Sequence, residues 1–219
     1  MKLCLSISAL LGFIVLVSGA ASNVGCFVSK DSCTAFFSGF PHVQSDLNKY
    51  TKQMLDKSFD FLLLSSTFDV YSMNRPGFKK LYRKTSDKAW EDTIDLIKYQ
   101  SKRGASVTLF KGNEEPITAR NISSLLQSSE SSSLQLALDY EKIMATEAHH
   151  IHKKISHADI NKHYDPDVAH YLDEKLIEYQ SGEIRKLSGY ITNLYDIMNE
   201  ANTKELGIEL FDEYLNKVE

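Results

Sequence analysis

Apolar and small side chains recur three, four or seven positions apart through four long stretches of the chain, which is the spacing of one buried helical face. The first stretch runs from Asp46 to about Tyr71 through Leu47, Tyr50, Met54, Phe61, Ser65 and Phe68. Asn74-Arg75-Pro76-Gly77 then breaks the pattern, with Asn74 as the expected N-cap and Pro76 suited only to a first helical turn. A second helix continues to about Arg103, where Gly104 is the expected stop. The third is expected from about Gln127 to His157, on Leu134, Ala137, Glu141, Ala145, Ala148 and His152, with the Ser128–Ser133 run as a frayed start. The fourth, from about Asp167 to Asn199, follows a cap region at Asp165-Pro166 and uses Leu172, Leu176, Gln180, Ile184, Leu187, Ile191 and Leu194. A short fifth helix is expected from about Lys204 to Leu215.

The connections are short, long, short. Between Ala105 and about Leu125 lie Gly112, Pro116 and a Thr-Leu-Phe run too brief for a strand. A loop of that length fits a compact domain when the chain must travel the length of a bundle before the next helix begins. The pattern therefore predicts an all-α, four-helix bundle with one long crossover (up-down-down-up) and a short C-terminal fifth helix.

Composition narrows the class. With 219 residues, 42% of them hydrophobic, one substantial core is expected, occupying residues 46–219. A net charge of -4 offers no broad basic field, so nucleic acid is not an expected partner. Residues 1–20 combine Lys2, an apolar run from Ile7 to Val17 and small residues at Ser18, Gly19 and Ala20, the layout of a cleaved signal peptide. That run is shorter than the roughly 20 residues a spanning helix needs, and no later segment is apolar enough to cross a membrane. Residues 21–45 form an N-terminal extension holding Cys26 and Cys33, for which an oxidising compartment favours disulfides, within the chain or to another subunit. The sequon Asn121-Ile122-Ser123 lies in the long connection and reads either as a glycosylation site or as an unmodified asparagine.

The run Ser86-Asp87-Lys88-Ala89-Trp90-Glu91-Asp92-Thr93-Ile94-Asp95-Leu96-Ile97-Lys98-Tyr99 sits between Arg75-Pro76-Gly77-Phe78 and Arg103-Gly104-Ala105. With Tyr171-Leu172-Asp173-Glu174, Ile184–Leu194 and Leu210-Phe211-Asp212-Glu213-Tyr214-Leu215, it resembles the ferritin family, and within it the light-chain-type subunits of secreted insect ferritin. The resemblance covers about Asp46 to Leu215, and the two-cysteine N-terminal segment also looks like that of the secreted insect chains.

The resemblance implies an iron-storage shell of 24 chains with iron as cargo and no organic cofactor. It also marks a site inside each bundle where catalytic chains oxidise Fe(II) with carboxylates and a histidine, ligands suited to hard iron. Position by position, those ligands match Met54, Phe61, Ala89 and Asp92, where this chain departs from the family, and Glu141 and Gln180, where it agrees. A methionine, a phenylalanine and an alanine cannot supply the missing oxygen groups. The implied role is a non-catalytic subunit beside a heavy-chain-type partner that performs the oxidation. Two alternatives stand: an active ferroxidase with displaced ligands, and a secreted helical binding protein without an iron role.

Other candidate positions follow from the same resemblance. Asp87 and Glu91, on one stripe with Asp95, match cavity-facing positions that seed mineral in light-type chains, although Lys84 and Lys88 replace two further acids there; an ordinary solvated face is the other reading. His152, His170 and Asp173 fall near the three-fold pores, or are surface residues without that role. For the retained Glu141 and Asp92 the readings are a residual single-metal site with Gln180, or hydrogen bonding and ion pairing with Tyr50, Gln180, buried water or Lys57.

Overall fold

A computed structural model describes residues 33–109, 127–156, 163–200 and 202–219. Among them the regular elements are helices: α1 (Phe40–Phe68), α2 (Pro76–Lys102), α3 (Glu130–Ile155), a fourth long helix α4 in three segments (Pro166–Leu172, Asp173–Ile177, Glu178–Asn199), and α5 (Lys204–Val218). The chain separates into Met1–Thr34 and Ala35–Glu219, and the bundle belongs to the second unit. α1 packs chiefly on α2 and also on α3, α3 packs on α4, and α5 lies against α2 and α4. The predicted all-α four-helix bundle with a short fifth helix is the fold observed, and residues 110–126 of the long connection lie outside the described residues.

Several element ends depart from the expectations. α1 begins six residues before Asp46, because Pro41 fits its first turn and Phe40 and Val43 continue the buried face of Leu47 and Tyr50, all fully buried. Asn74 does not cap α2; it adopts φ 48°, and Arg75 is the capping position without a side-chain cap bond. The serine run is not frayed. Ser129 is the N-cap of α3 in a reciprocal box with Ser132, so these serines satisfy backbone N–H groups that a helix start otherwise leaves open. Asp165 does cap α4, accepting from the Val168 N–H at 3.2 Å. The Asp173–Ile177 segment of α4 is a π-helical turn that the periodic pattern did not disclose. Gly104 ends α2 at φ 90°, in the left-handed region where a Cβ is disfavoured.

The core is two apolar clusters along the bundle. One gathers Val43, Leu47, Tyr50, Met54, Leu96, Met144, Ile151 and Leu176; the other gathers Phe61, Phe68, Phe78, Tyr82, Leu134, Leu187, Phe211 and Leu215. α5 closes the second end, where Gly77 lets the backbones of α2 and α5 meet: a Cβ there would stand 1.9 Å from the Asp212 carbonyl oxygen. Asp212 Oδ1 accepts from the Phe78 N–H at 2.9 Å. At the other end Arg103, 2% exposed, joins Asp165 at 2.7 Å and Asp167 at 2.6 Å and lies 3.9 Å over the Phe37 ring. A buried guanidinium is costly unless its charge is met, and here two carboxylates meet it while Nε is left without a hydrogen-bond partner among the described residues.

Candidate functional site

Between the two clusters the bundle holds a polar centre. Tyr140 packs against both clusters, while Met54 belongs to one and Phe61 to the other; Lys57 lies between them on α1. Lys57, 3% exposed, donates from Nζ to Glu141 Oε1 of α3 at 2.5 Å. Gln180 of α4 donates from Nε2 to the Tyr50 hydroxyl at 2.7 Å. Glu141 Oε2 and Gln180 Oε1 are buried without a hydrogen-bond partner among the described residues. Burial raises the Tyr50 phenol above its ordinary value, which the Gln180 hydrogen bond counteracts and the Glu141 and Asp92 charges reinforce.

Of the six positions marked by the resemblance, Met54, Phe61, Ala89, Glu141 and Gln180 are all buried, at 2%, 1%, 1%, 1% and 1% exposure. Asp92 is different. It lies toward the bundle surface, paired with Lys88 one turn earlier, whose ammonium also sits 4.6 Å from the Tyr179 ring centroid. Burial raises the Asp92 carboxyl, and Lys88 and Lys57 pull it back. Asp92 and Glu141 therefore each pair with a lysine, and Lys57 places a fixed cation at the centre itself.

This donor set does not fit a pair of iron ions. A thioether, a phenyl ring and a methyl group offer no hard oxygen ligand, and the one fully buried carboxylate is already neutralised by an ammonium. Among the described residues no group of three or more histidine, cysteine, aspartate or glutamate side chains is placed to hold a metal ion.

The outer candidates are placed as follows. Asp87 is exposed and accepts from Arg83 Nε at 3.0 Å; Glu91 is exposed on the same stripe. Lys84 turns to the Glu219 side chain at 3.0 Å. His152 Nε2 and Asp173 Oδ2 meet at 3.2 Å, joining α3 to the π-helical turn, whereas His170 pairs with Glu174 at 3.2 Å. His170 and Asp173 share a surface hollow with Glu174 and Glu178. Cys26, Asn121 and His157 lie outside the described residues. The ion pair with Lys57, one of the readings offered for Glu141, is the one the structure holds; the Arg103 cluster was not suggested, since one basic residue near a helix end is an ordinary feature of solvated helices. Lys57 stands three residues from an expected ligand position, on the same face as Met54 and Phe61, which is what brings it to the centre.

No model of a known protein family matches the chain. Individual relatives do. The chain is 39% identical over 197 residues to the ferritin light chain of Drosophila melanogaster, covering 90% of this chain and 86% of that one. It is 33% identical over 206 residues to the ferritin light chain of Trichoplusia ni, covering 93% and 88%. Among solved structures, the crystal structure of Trichoplusia ni secreted ferritin matches with a TM-score of 0.74 at 34% identity, over 85% of this chain and 89% of that one. The chain belongs to the ferritin family.

Proposed function

We propose that this chain is a non-catalytic, light-chain-type subunit of a secreted iron-storage shell, in which a heavy-chain-type partner oxidises Fe(II). The observation that carries the reading is the buried Lys57–Glu141 ion pair, in a bundle whose Met54, Phe61 and Ala89 are buried as well. Where catalysis would need two hard cations among carboxylates, this bundle holds one tethered ammonium on one carboxylate. The light-chain names of two relatives that match along nearly the whole chain support the same role, and the secreted ferritin among its structural likenesses supports the address.

On this reading residues 1–20 are a signal peptide, and Cys26 and Cys33 are oxidised in the secreted chain; Cys33 is disulfide-bonded, which supports it. Asn121 is glycosylated in the loop. Asp87 and Glu91 take iron at the cavity wall, and His152, His170 and Asp173 line the three-fold pore. The cargo is mineral iron.

The test is the composition of the native particle. Size-exclusion and subunit mass analysis under non-reducing conditions should find this chain in a large shell with a second, catalytic chain. Recovery of this chain alone, as monomer or dimer, overturns the reading.

A further inference from the structure

The start of α1 is strapped to the cap of α4 by a run of contacts that ends in two histidines. The Phe37 carbonyl accepts from Arg103 Nη2 at 3.1 Å, and the Ser38 hydroxyl donates to the Tyr164 carbonyl at 2.9 Å. Gly39 lies so close to the connection before α4 that a Cβ there would stand 1.9 Å from the His163 carbonyl oxygen. Three residues later the His42 ring lies face to face with the His163 ring, centroids 3.2 Å apart and planes 20° from parallel. Both histidines are exposed, so water can bring a proton to either ring. Ser38 adopts φ 58°, in the left-handed region that a residue with a Cβ rarely enters, and such a conformation persists only where surrounding contacts hold it.

The stack responds to protons as the other contacts of the strap do not. Histidine is the side chain whose charge changes between about pH 5 and 8. Two neutral rings pack against each other as other aromatic pairs do, whereas two imidazoliums in face contact repel, with no water between the rings to screen them. The charged groups around the stack are already matched. On α1 Asp46, one turn beyond His42, pairs with Lys154 of α3 at 2.7 Å, and His150 stands one turn before Lys154. At the start of α4, Asp165 and Asp167 both pair with Arg103 of α2, at 2.7 and 2.6 Å, and Asp167 also feels the charge of Lys102. Three carboxylates thus face three cations before either imidazole gains a proton, and each added proton leaves an excess of positive charge. An imidazole binds a metal through a ring nitrogen, in the plane of the ring, and two nearly parallel stacked planes offer no near common point, so a shared metal ion is not the use of this pair.

We propose that the His42–His163 stack is a proton-sensitive latch, which closes the start of α1 over the cap of α4 when both rings are neutral and opens that end of the bundle when both are protonated. Opening frees the strap at Phe37 to His42 and lets water reach Phe40 and Val43, which are fully buried when the latch is closed. The other paired histidines respond in the opposite sense. His152 and His170 stand against Asp173 and Glu174, so a proton on either ring strengthens its contact. The latch is independent of the storage reading, since it lies about four turns of α1 from the Lys57–Glu141 pair.

Amide hydrogen exchange followed by mass spectrometry on the native, assembled protein at about pH 7.5 and about pH 5.5 reads the latch directly, once the rates are corrected for the intrinsic pH dependence of exchange. We expect peptides covering residues 37–46 and 163–169 to exchange at least about fivefold faster at the lower pH, while the middle of α3 and the whole of α5 are unchanged. His163→Phe keeps a ring face and removes the site of protonation; it and the reciprocal His42→Phe should show no response to pH, and His150→Gln should respond as the parent does. Helix content and particle size confirm that each variant is folded and assembled. Equal corrected exchange at the two pH values in the parent, an increase spread over the whole bundle, a response that survives in either phenylalanine variant, or one that is lost in His150→Gln overturns the proposal.

Discussion

Lys57 of α1 and Glu141 of α3, 84 positions apart in sequence, meet at 2.5 Å with less than a twentieth of either side chain exposed. Two opposite charges removed from water in this way are tolerable only together. Changing Lys57 to methionine should leave the Glu141 carboxylate buried and unpaired and lower stability by about 3–5 kcal/mol. The double change Lys57→Met/Glu141→Leu should recover most of that loss, because an apolar pair of similar volume has no desolvation penalty to offset. Urea denaturation of the three proteins measures it; a single variant as stable as the parent would show that the pair is not buried as described.

The docking of α5 depends on the missing side chain at Gly77. An alanine Cβ would stand 1.9 Å from the Asp212 carbonyl oxygen, so the helices must part. We expect Gly77→Ala to lower stability by about 1–3 kcal/mol and to speed amide exchange in α5 more than in α1 or α3. Uniform exchange throughout the bundle would contradict this.

Acid should loosen the same region. Burial acts to raise the Glu219 carboxyl, but hydrogen bonds from Lys84 and Tyr190 and the charge of Lys186 outweigh it, and the group lies below its ordinary value of 4.5. A carboxylate depressed in the folded state stabilises the fold above the ordinary value, and that contribution is lost as pH falls through the folded value. Stability should therefore decline below about pH 4.5, and Glu219→Gln should remove part of this decline while lowering stability at pH 7. Denaturation midpoints at pH 7, 5 and 3.5 give the comparison; identical pH dependence in parent and variant would refute it.

The bundle was legible because its signal is long and redundant: Leu47, Tyr50, Met54, Phe61 and Phe68 repeat one face over six turns, and an error at any one position leaves the helix standing. Features that depend on a single distant partner were not. The π-helical turn at Asp173–Ile177 has no local signature in Asp-Glu-Lys-Leu-Ile, and the capping role of Ser129 could not be told from fraying within a run of serines. The first turn of α1 was missed because its buried Phe40 and Val43 flank a proline, which reads as a boundary from either side. At the centre, once the resemblance had marked Met54, Phe61 and Ala89, it was plain from residue type that they offer no hard oxygen ligand. That Lys57, rather than Tyr50 or Gln180, neutralises Glu141 required knowing the rotation of α1 against α3.

Restoring ligands would require removing the lysine as well. Met54→Glu, Phe61→Tyr, Ala89→Glu and Asp92→His, combined with Lys57→Ser beside the existing Glu141 and Gln180, should give a protein less stable than the parent without metal and stabilised by added divalent metal, since uncompensated buried carboxylates are costly and metal binds only the folded state. The same four changes with Lys57 kept should respond less to metal. Thermal denaturation with and without metal distinguishes them, and an equal response would show that the ammonium does not compete for the site.

The most direct measurement is ferrous oxidation by the purified, assembled chain, followed by oxygen uptake and ferric absorbance beside a buffer blank and beside the same chain mixed with a catalytic ferritin subunit. The expected result is a rate equal to the blank for this chain alone and iron storage in the mixed shell. A rate above the blank from this chain alone, abolished by Glu141→Gln, would contradict the non-catalytic reading at its centre.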